Sequence, residues 1–238
     1  GTKLIKLQIF YLEERALEGE NAWDIFRKLT LNEKQWQQAV EYARSKQLMI
    51  IADVYGEKSL SLAKKLSVDG FKIHSEDLLN SYFIAQVAEE GQLLFISVGG
   101  AHRSEIYNLL NFLNKKELIR QIVLMTGIQT FPTPLGAHSL EEVSDLINKY
   151  SQYGVKVGFS DHISGDQEEA NIIPLMALAK GACVIEKHVT INRKDKWTDY
   201  HSSLSKKDFN KFVKYVKKYY CLSLEKKKLE TFYRGLIA

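Results

Sequence analysis

With 238 residues and 45% hydrophobic side chains, the chain is long enough for one large domain with a core of its own. An aromatic share of 11% beside only three prolines and fourteen glycines excludes a low-complexity or wholly disordered chain. The net charge of +4 is modest for this length, and the two cysteines, Cys183 and Cys221, exclude a disulfide framework or a zinc-binding spacing.

In chain order, β-prone runs fall at Leu4–Phe10, Leu48–Val54, Gly70–His74, Leu93–Val98, Ile122–Thr126, Val155–Ser160 and Cys183–Thr190. Amphipathic segments separate them. In "TLNEKQWQQAVEYARSK" Thr30 precedes Glu33 at a capping-box spacing, and Trp36, Ala39, Val40 and Ala43 recur at helical intervals. Ser139 with Glu142, and Ser205 with Asp208, repeat the device. Late lysines, among them Lys206, Lys207, Lys211, Lys214, Lys217 and Lys218, interleave with Phe209, Phe212, Val213 and Val216. That spacing reads as the solvated face of a helix rather than a nucleic-acid surface. A second basic run covers Lys226 to Lys228, and a helical extension is expected over about 221–238. Cys183 opens an apolar strand and is expected in the core. No apolar run approaches the ~18 residues of a membrane span, nothing resembles a signal peptide, and a cytoplasmic setting is the expectation.

Strand–helix alternation with continuous apolar strands predicts an α/β fold, a parallel sheet covered by helices. One domain is expected, without an internal boundary before about Tyr220. Two architectures remain, an open doubly wound sheet and a (β/α)8 TIM barrel. No Gly-x-Gly-x-x-Gly follows the first strand, which weakens the dinucleotide-binding version. The barrel explains why strands end in polar residues, because its chemistry sits at the carboxyl ends. Lys6 and Gln8 lie in the first run, Lys72 and Ser75 end the third, Ser97 ends the fourth, and Ser160, Asp161 and His162 end the sixth. The seventh carries Glu186, Lys187 and His188.

Two imidazoles on adjacent strands, each beside a carboxylate, suit a divalent metal with open positions for water and substrate. Strand alternation would put Glu186 on the face of His188. His74, His102, His138 and His201 show no such carboxylate partner and read as structural or surface residues. Lys6 and Lys72 sit in apolar strands and are costly to bury alone. Either each pairs with a buried carboxylate such as Asp53 or Asp161, or both hold an anion with hydroxyls from Ser75, Ser97 and Ser160. Residue chemistry alone stops at metal-assisted carbonyl or phosphoester chemistry. "QTFPTP", residues 129–134, stiffens a loop at the rim or makes a simple turn.

The segments "IKLQIF", "GFKIHS", "LFISVGG", "QTFPTP", "GFSDHISG", "GACVIEKHVT" and "TDYHSSLS", in this order, resemble the sialic acid synthase family, which includes the legionaminic and pseudaminic acid synthases. The most specific part is "SDH" followed one βα unit later by "EKH". The resemblance implies a (β/α)8 barrel that condenses phosphoenolpyruvate with an N-acetylated amino sugar aldehyde to a nonulosonic acid, with Mn2+ or Mg2+ activating the aldehyde. It implies His162 and His188 as metal ligands and Lys6, Lys72, Ser75, Ser97 and Ser160 as phosphoenolpyruvate contacts. Gln8, Asp77, Glu186 and Asp199 are implied members of the sugar and water network, and a homodimer is the family habit. The sequence departs from the family pattern in several places. The given residues open at Gly1, where the family's second strand is expected, and end at "ETFYRGLIA", where the family continues into an antifreeze-like domain, as expected of either a portion of a longer protein or a shortened relative; "SVGG" stands for the usual "STG", "WTD" stands for "GPD", and Asp53 stands where the family has a threonine. The alternatives are a non-catalytic sugar- or partner-binding barrel, or another metal-dependent aldolase on the same fold.

Overall fold

The computed structural model of the protein describes residues 2–137 and 139–218. His138, Cys221, Lys226 to Lys228 and the expected helical extension lie outside the described residues. The chain groups into two compact units, the larger built from residues 2–127 and 141–158, the smaller from 128–140 and from Phe159 onward.

The larger unit alternates strands and helices: β1 (Leu4–Gln8), α1 (Leu12–Arg15), α2 (Asn21–Leu29), α3 (Glu33–Ser45), β2 (Met49–Val54), α4 (Glu57–Lys65), β3 (Gly70–Ile73), α5 (Ser81–Ala88), β4 (Leu93–Ser97), α6 (Arg103–Lys115), β5 (Ile122–Thr126) and α7 (Glu141–Tyr150). The first residues of β6 (Lys156–Asp161) also belong to it. Strands β1 to β5 are hydrogen-bonded in sequence order, with β6 next to β5 and β7 next to β6 in one seven-stranded sheet. Pairings β1–β2, β2–β3, β3–β4 and β4–β5 are parallel. All residues of β3 and β5 are buried, the two-sided burial that parallel sheets impose and that makes their sequences continuous apolar runs. A side chain at Gly70 would meet the Leu93 carbonyl at 2.5 Å, so glycine is what lets β3 start against β4.

Local capping departs from the sequence reading in one place. Thr30 closes α2, where its hydroxyl donates to the Phe26 carbonyl at 2.9 Å. The capping box of α3 uses Asn32 and Gln35 instead, each side chain accepting from the other's backbone N–H at 2.9 Å. An Asn beside the helix start outcompetes a Thr two residues earlier because its amide oxygen reaches the N3 nitrogen. Asn32→Ala is expected to destabilise the chain by about 1 kcal/mol, read by urea unfolding. Glu142 is spent on Thr126 and Arg103, accepting from them at 2.7 and 3.1 Å.

The smaller unit holds the end of β6, α8 (Glu169–Ala179), β7 (Ile185–Lys187), β8 (Val189–Thr190), β9 (Leu204–Ser205) and a helix, α9, over residues 206–218. The single run expected over Cys183–Thr190 is two strands. β7 pairs with β6, whereas β8 pairs with β9 in a separate two-stranded ladder, and the chain changes partner at His188. The reading of alternation from Glu186 to His188 therefore lapses, since β7 ends at Lys187. Cys183 is exposed and precedes β7, so it is not a core residue. Ile163, Ala170, Leu204 and Phe212 form the buried core here, with Ile173, Ile185, Phe209 and Val216 packed against it. The lysines of α9 are exposed, as helical spacing predicts, and the Ser205–Asp208 cap is present.

Candidate active site: an ammonium–carboxylate face and an imidazole pair

In the larger unit, register aligns Gln8 with Asp53, Asp53 with Lys72 and Lys72 with Phe95. Aligned residues of parallel strands share a face, and so do residues two apart. Lys6, Gln8, Asp53, Lys72 and Ser97 thus project from one face of the sheet. Lys72, Asp53 and Ser97 are buried, at 3%, 0% and 1% exposure, whereas Gln8 is exposed. Lys6 Nζ donates to Asp53 Oδ2 at 3.2 Å. Of the two readings for the strand lysines, pairing with a buried carboxylate holds for Lys6. Asp161, the other candidate partner, takes Lys187 instead.

The turn after β3 adds Ser75 and Asp77, both in a 3-10 turn over Ser75–Asp77. Burial, then the charges of Glu76 and Asp53, raise the Asp77 carboxyl above its ordinary range. His74 is not without an acidic neighbour, as the sequence suggested, because Glu76 Oε2 lies 3.5 Å from its Nδ1. Burial is the larger influence and lowers the His74 pKa, which favours the neutral ring. Arg15 donates to Glu76 at 3.2 Å, and its guanidinium lies 4.4 Å from the Phe26 ring centre and 4.9 Å from that of Tyr55. Burial also pushes the Tyr55 phenol far above its usual value, so it stays protonated.

In the smaller unit, register pairs Ser160 with Glu186 and Asp161 with Lys187. His162 and His188 are the first residues beyond the ends of β6 and β7, and their ring centres lie 5.4 Å apart at a 46° tilt. Asp161 and Lys187 form a salt bridge with both side chains almost fully buried. Burial depresses the Lys187 pKa, and the Asp161 charge counteracts it. Asp161 also accepts from the Ile163 N–H at 3.1 Å, so one carboxylate fixes both strand ends. Ser160 is buried and its hydroxyl has no hydrogen-bond partner. Glu186 is half-buried.

His162 Nδ1 lies 2.8 Å from the Ile128 carbonyl. A carbonyl only accepts, so the Nδ1–H donates, and in the neutral ring Nε2 is then the nitrogen that carries the lone pair. That is the tautomer a metal-binding imidazole requires, held by the kind of outer hydrogen bond that such ligands use. Asp199 Oδ2 stands 4.0 Å from His188 Nδ1. Two imidazoles at this spacing could serve as a pair of ligands to one divalent ion. Among the described residues, however, no group of three or more His, Cys, Asp or Glu side chains is assembled to hold one.

Several supporting residues escaped the sequence reading. The "QTFPTP" loop is more than a turn. Phe131 packs its ring 4.3 Å from His162 and 5.9 Å from His188, and the Thr133 N–H donates to the His162 carbonyl at 2.9 Å. Ser202 Oγ donates to the same carbonyl at 2.8 Å, and Ser203 Oγ donates to the Asp199 carbonyl at 2.9 Å. Arg193 donates to the carbonyls of Tyr200 and Ser203. Asp199 itself has φ +61°, a left-handed conformation that acidic residues tolerate better than bulky ones. The spacing of "SDH" and "EKH" could announce the rings, but backbone carbonyl partners leave no mark in a sequence.

The chain is 28% identical over 217 residues to an uncharacterised protein of Methanocaldococcus jannaschii, covering 91% of this chain and 62% of that one. It is 28% identical over 195 residues to N,N'-diacetyllegionaminic acid synthase of Campylobacter jejuni, covering 82% of this chain and 56% of the relative. The chain thus spans less than two thirds of the length of these relatives. The crystal structure of the N-acetylneuraminic acid synthetase of Leptospira borgpetersenii, in complex with citrate, superposes with a TM-score of 0.81 at 27% identity, covering 91% of this chain and 73% of that one. The model of the NeuB family matches residues 4–228, and the chain belongs to the NeuB family.

Proposed function

We propose that this chain carries the condensing chemistry of a nonulosonic acid synthase, joining phosphoenolpyruvate to an N-acetylated amino sugar aldehyde and releasing phosphate. The observation that carries the reading is the His162 ring, held by its Nδ1 bond to the Ile128 carbonyl and 5.4 Å from the His188 ring, at the two strand ends that bear "SDH" and "EKH". Synthases of this kind among the family's relatives give it support. The fold is read as part of a (β/α)8 barrel, on the strength of its parallel strand order and helix alternation.

A divalent ion, Mn2+ or Mg2+, bound by His162 and His188 would polarise the sugar aldehyde as a Lewis acid. Lys6, Lys72, Ser75, Ser97 and Ser160 supply ammonium and hydroxyl groups for the anionic ends of phosphoenolpyruvate. The enol carbon of phosphoenolpyruvate forms the new bond to the aldehyde carbon, water adds to the carbon bearing the phosphate ester, and the ester oxygen departs with inorganic phosphate. Glu186, Asp199, Asp77 and Gln8 are the groups assigned to orienting the sugar and the incoming water. Burial raises the Asp77 pKa, which makes its carboxylate a better proton acceptor than an exposed aspartate. A homodimer and a cytoplasmic setting accompany this reading as proposals, and no described helix is long and apolar enough to cross a membrane.

A second reading, a barrel that binds a sugar or partner without turnover, draws on Asp53, whose carboxylate already holds Lys6. Phosphate release separates the two. With Mn2+ and a panel of N-acetylated amino sugars, phosphoenolpyruvate is expected to yield one phosphate per new nonulosonic acid. Binding of sugar with no phosphate release under any pairing would favour the second reading. Pyruvate serving in place of phosphoenolpyruvate would instead identify another aldolase.

A further inference from the structure

Asp199 holds φ at +61°, a conformation that a non-glycine residue keeps only where its surroundings over-determine it. A knot of bonds within the smaller unit does so. The Asp199 carbonyl accepts from the Ser202 N–H at 3.1 Å and from the Ser203 hydroxyl at 2.9 Å. The next carbonyl, that of Tyr200, accepts from Arg193 Nη1 at 2.9 Å. The same nitrogen donates to the Ser203 carbonyl and lies 3.4 Å from the His201 carbonyl. A guanidinium usually binds carboxylates. Here the Asp166 carboxylate stands off at 3.7 Å and is 72% exposed, and the loop carbonyls receive the direct bonds. The chain opposite leaves room for this arrangement. The Gly165 N–H donates to the His201 carbonyl at 2.7 Å, and a side chain at Gly165 would collide with both the Ser203 carbonyl and the Arg193 guanidinium.

Two arms lead from Arg193 toward the imidazole. One runs through the Tyr200 carbonyl to Asp199, whose Oδ2 lies 4.0 Å from His188 Nδ1. The other runs through the Ser203–Leu204 peptide, whose carbonyl binds Arg193 and whose N–H donates to the His188 carbonyl at 2.9 Å. Both partners of the carboxylate–imidazole pair are thus referred to one guanidinium. We propose that Arg193 is a positioning residue that fixes the Asp199 carboxylate relative to the His188 ring, acting through loop carbonyls and touching neither side chain's reacting atoms. The part that this pair plays in turnover is taken from the synthase reading above, whereas its placement is geometry alone.

The test reads the His188 ring by 1H–13C correlation spectroscopy on the full chain, at one fixed pH and without substrate or metal. With Arg193 present, Asp199→Ala is expected to move the His188 ring cross-peaks, because it removes a carboxylate beside the ring. In an Arg193→Met background the same change is expected to move them less than about half as far, because the carboxylate has already left its place. Arg193→Met keeps the apolar stem and removes the donors, and Arg193→Gln serves should that variant fold poorly. Endoproteinase Lys-C gives an independent measure. Cleavage after the exposed Lys194 and Lys196 should rise at least about tenfold in the variant, while the exposed Lys211 and Lys214 of α9 stay as resistant as in the wild type. With Mn2+, phosphoenolpyruvate and a sugar that supports phosphate release, Arg193→Met should lower kcat about tenfold to a hundredfold and leave KM for phosphoenolpyruvate within about threefold, since the lost bonds go to loop carbonyls. Asp199→Ala shifts of equal size in both backgrounds, no shift in either, wild-type cleavage of the loop, or an unchanged kcat overturns the inference while leaving the synthase reading intact. The expected shifts and cleavage without any phosphate release by the wild type overturn the synthase reading alone. Equal shifts together with no release overturn both.

Discussion

Replacing His188 with alanine is expected to weaken Mn2+ binding at least about a hundredfold and to remove metal-dependent turnover, with little change in melting temperature. Even an outer-shell partner of a metal ligand is worth about ten- to a hundredfold in affinity, so a ligand itself is worth no less. The small cost in stability follows from exposure, since the His188 side chain is 22% exposed and its position is fixed by backbone pairing. His162→Ala is expected to lose the metal as well, but to melt lower. That ring is 3% exposed, and its removal leaves both a cavity and an unpaired Ile128 carbonyl, together about 2 kcal/mol. Free Mn2+ measured by electron paramagnetic resonance, alongside thermal melts, separates the two variants. Wild-type affinity surviving in both would end the metal assignment.

Breaking the Lys187–Asp161 pair is expected to be the most destabilising single change in the smaller unit. Lys187→Met leaves the Asp161 carboxylate without its cation at 0% side-chain exposure, a loss of about 3–5 kcal/mol. For a chain of this size that lowers the melting temperature by roughly 6–20 °C. The double variant Lys187→Met with Asp161→Asn should recover a large part, because no lone charge then remains in the interior. Denaturant unfolding of the single and double variants gives the coupling. A double variant no more stable than the single one would show that the pair does not act as a unit. Since Asp161 and Lys187 immediately precede His162 and His188, loss of the pair should also loosen metal binding, which His188→Ala does without unfolding.

The sequence made the strands legible because two-sided burial writes itself as unbroken apolar runs, and all seven runs correspond to sheet strands. What it could not show was where a run is cut. Cys183–Thr190 reads as one strand, since β-prone residues continue through it, yet its first residue is exposed and its partner changes at His188. Capping was legible at Ser205, where hydroxyl and carboxylate are correctly spaced, but Asn32 competed with Thr30 for α3 and won. In the site, the imidazoles and strand lysines announced themselves as polar residues in apolar contexts. The choice between two partners for Lys6 could not be made from composition, because it rests on cross-strand register that places Asp53 within its reach. Arg193, Ser202 and Thr133 act through or upon backbone carbonyls, which every residue owns, so no residue pattern marks them.

The change of ladder partner at His188 separates two jobs that neighbouring residues would otherwise share. On one side the ring is tethered through β7, and on the other the Leu204 N–H grips its carbonyl at 2.9 Å. The excursion between Ile191 and Ser203 is therefore closed at its base, and it is also pinned from within, where the Ser202 hydroxyl donates to the His162 carbonyl at 2.8 Å and Arg193 donates to the carbonyls of Tyr200 and Ser203. One loop thus ties the Asp199 carboxylate to the backbone of His162, so a change of its length would be felt at both residues together.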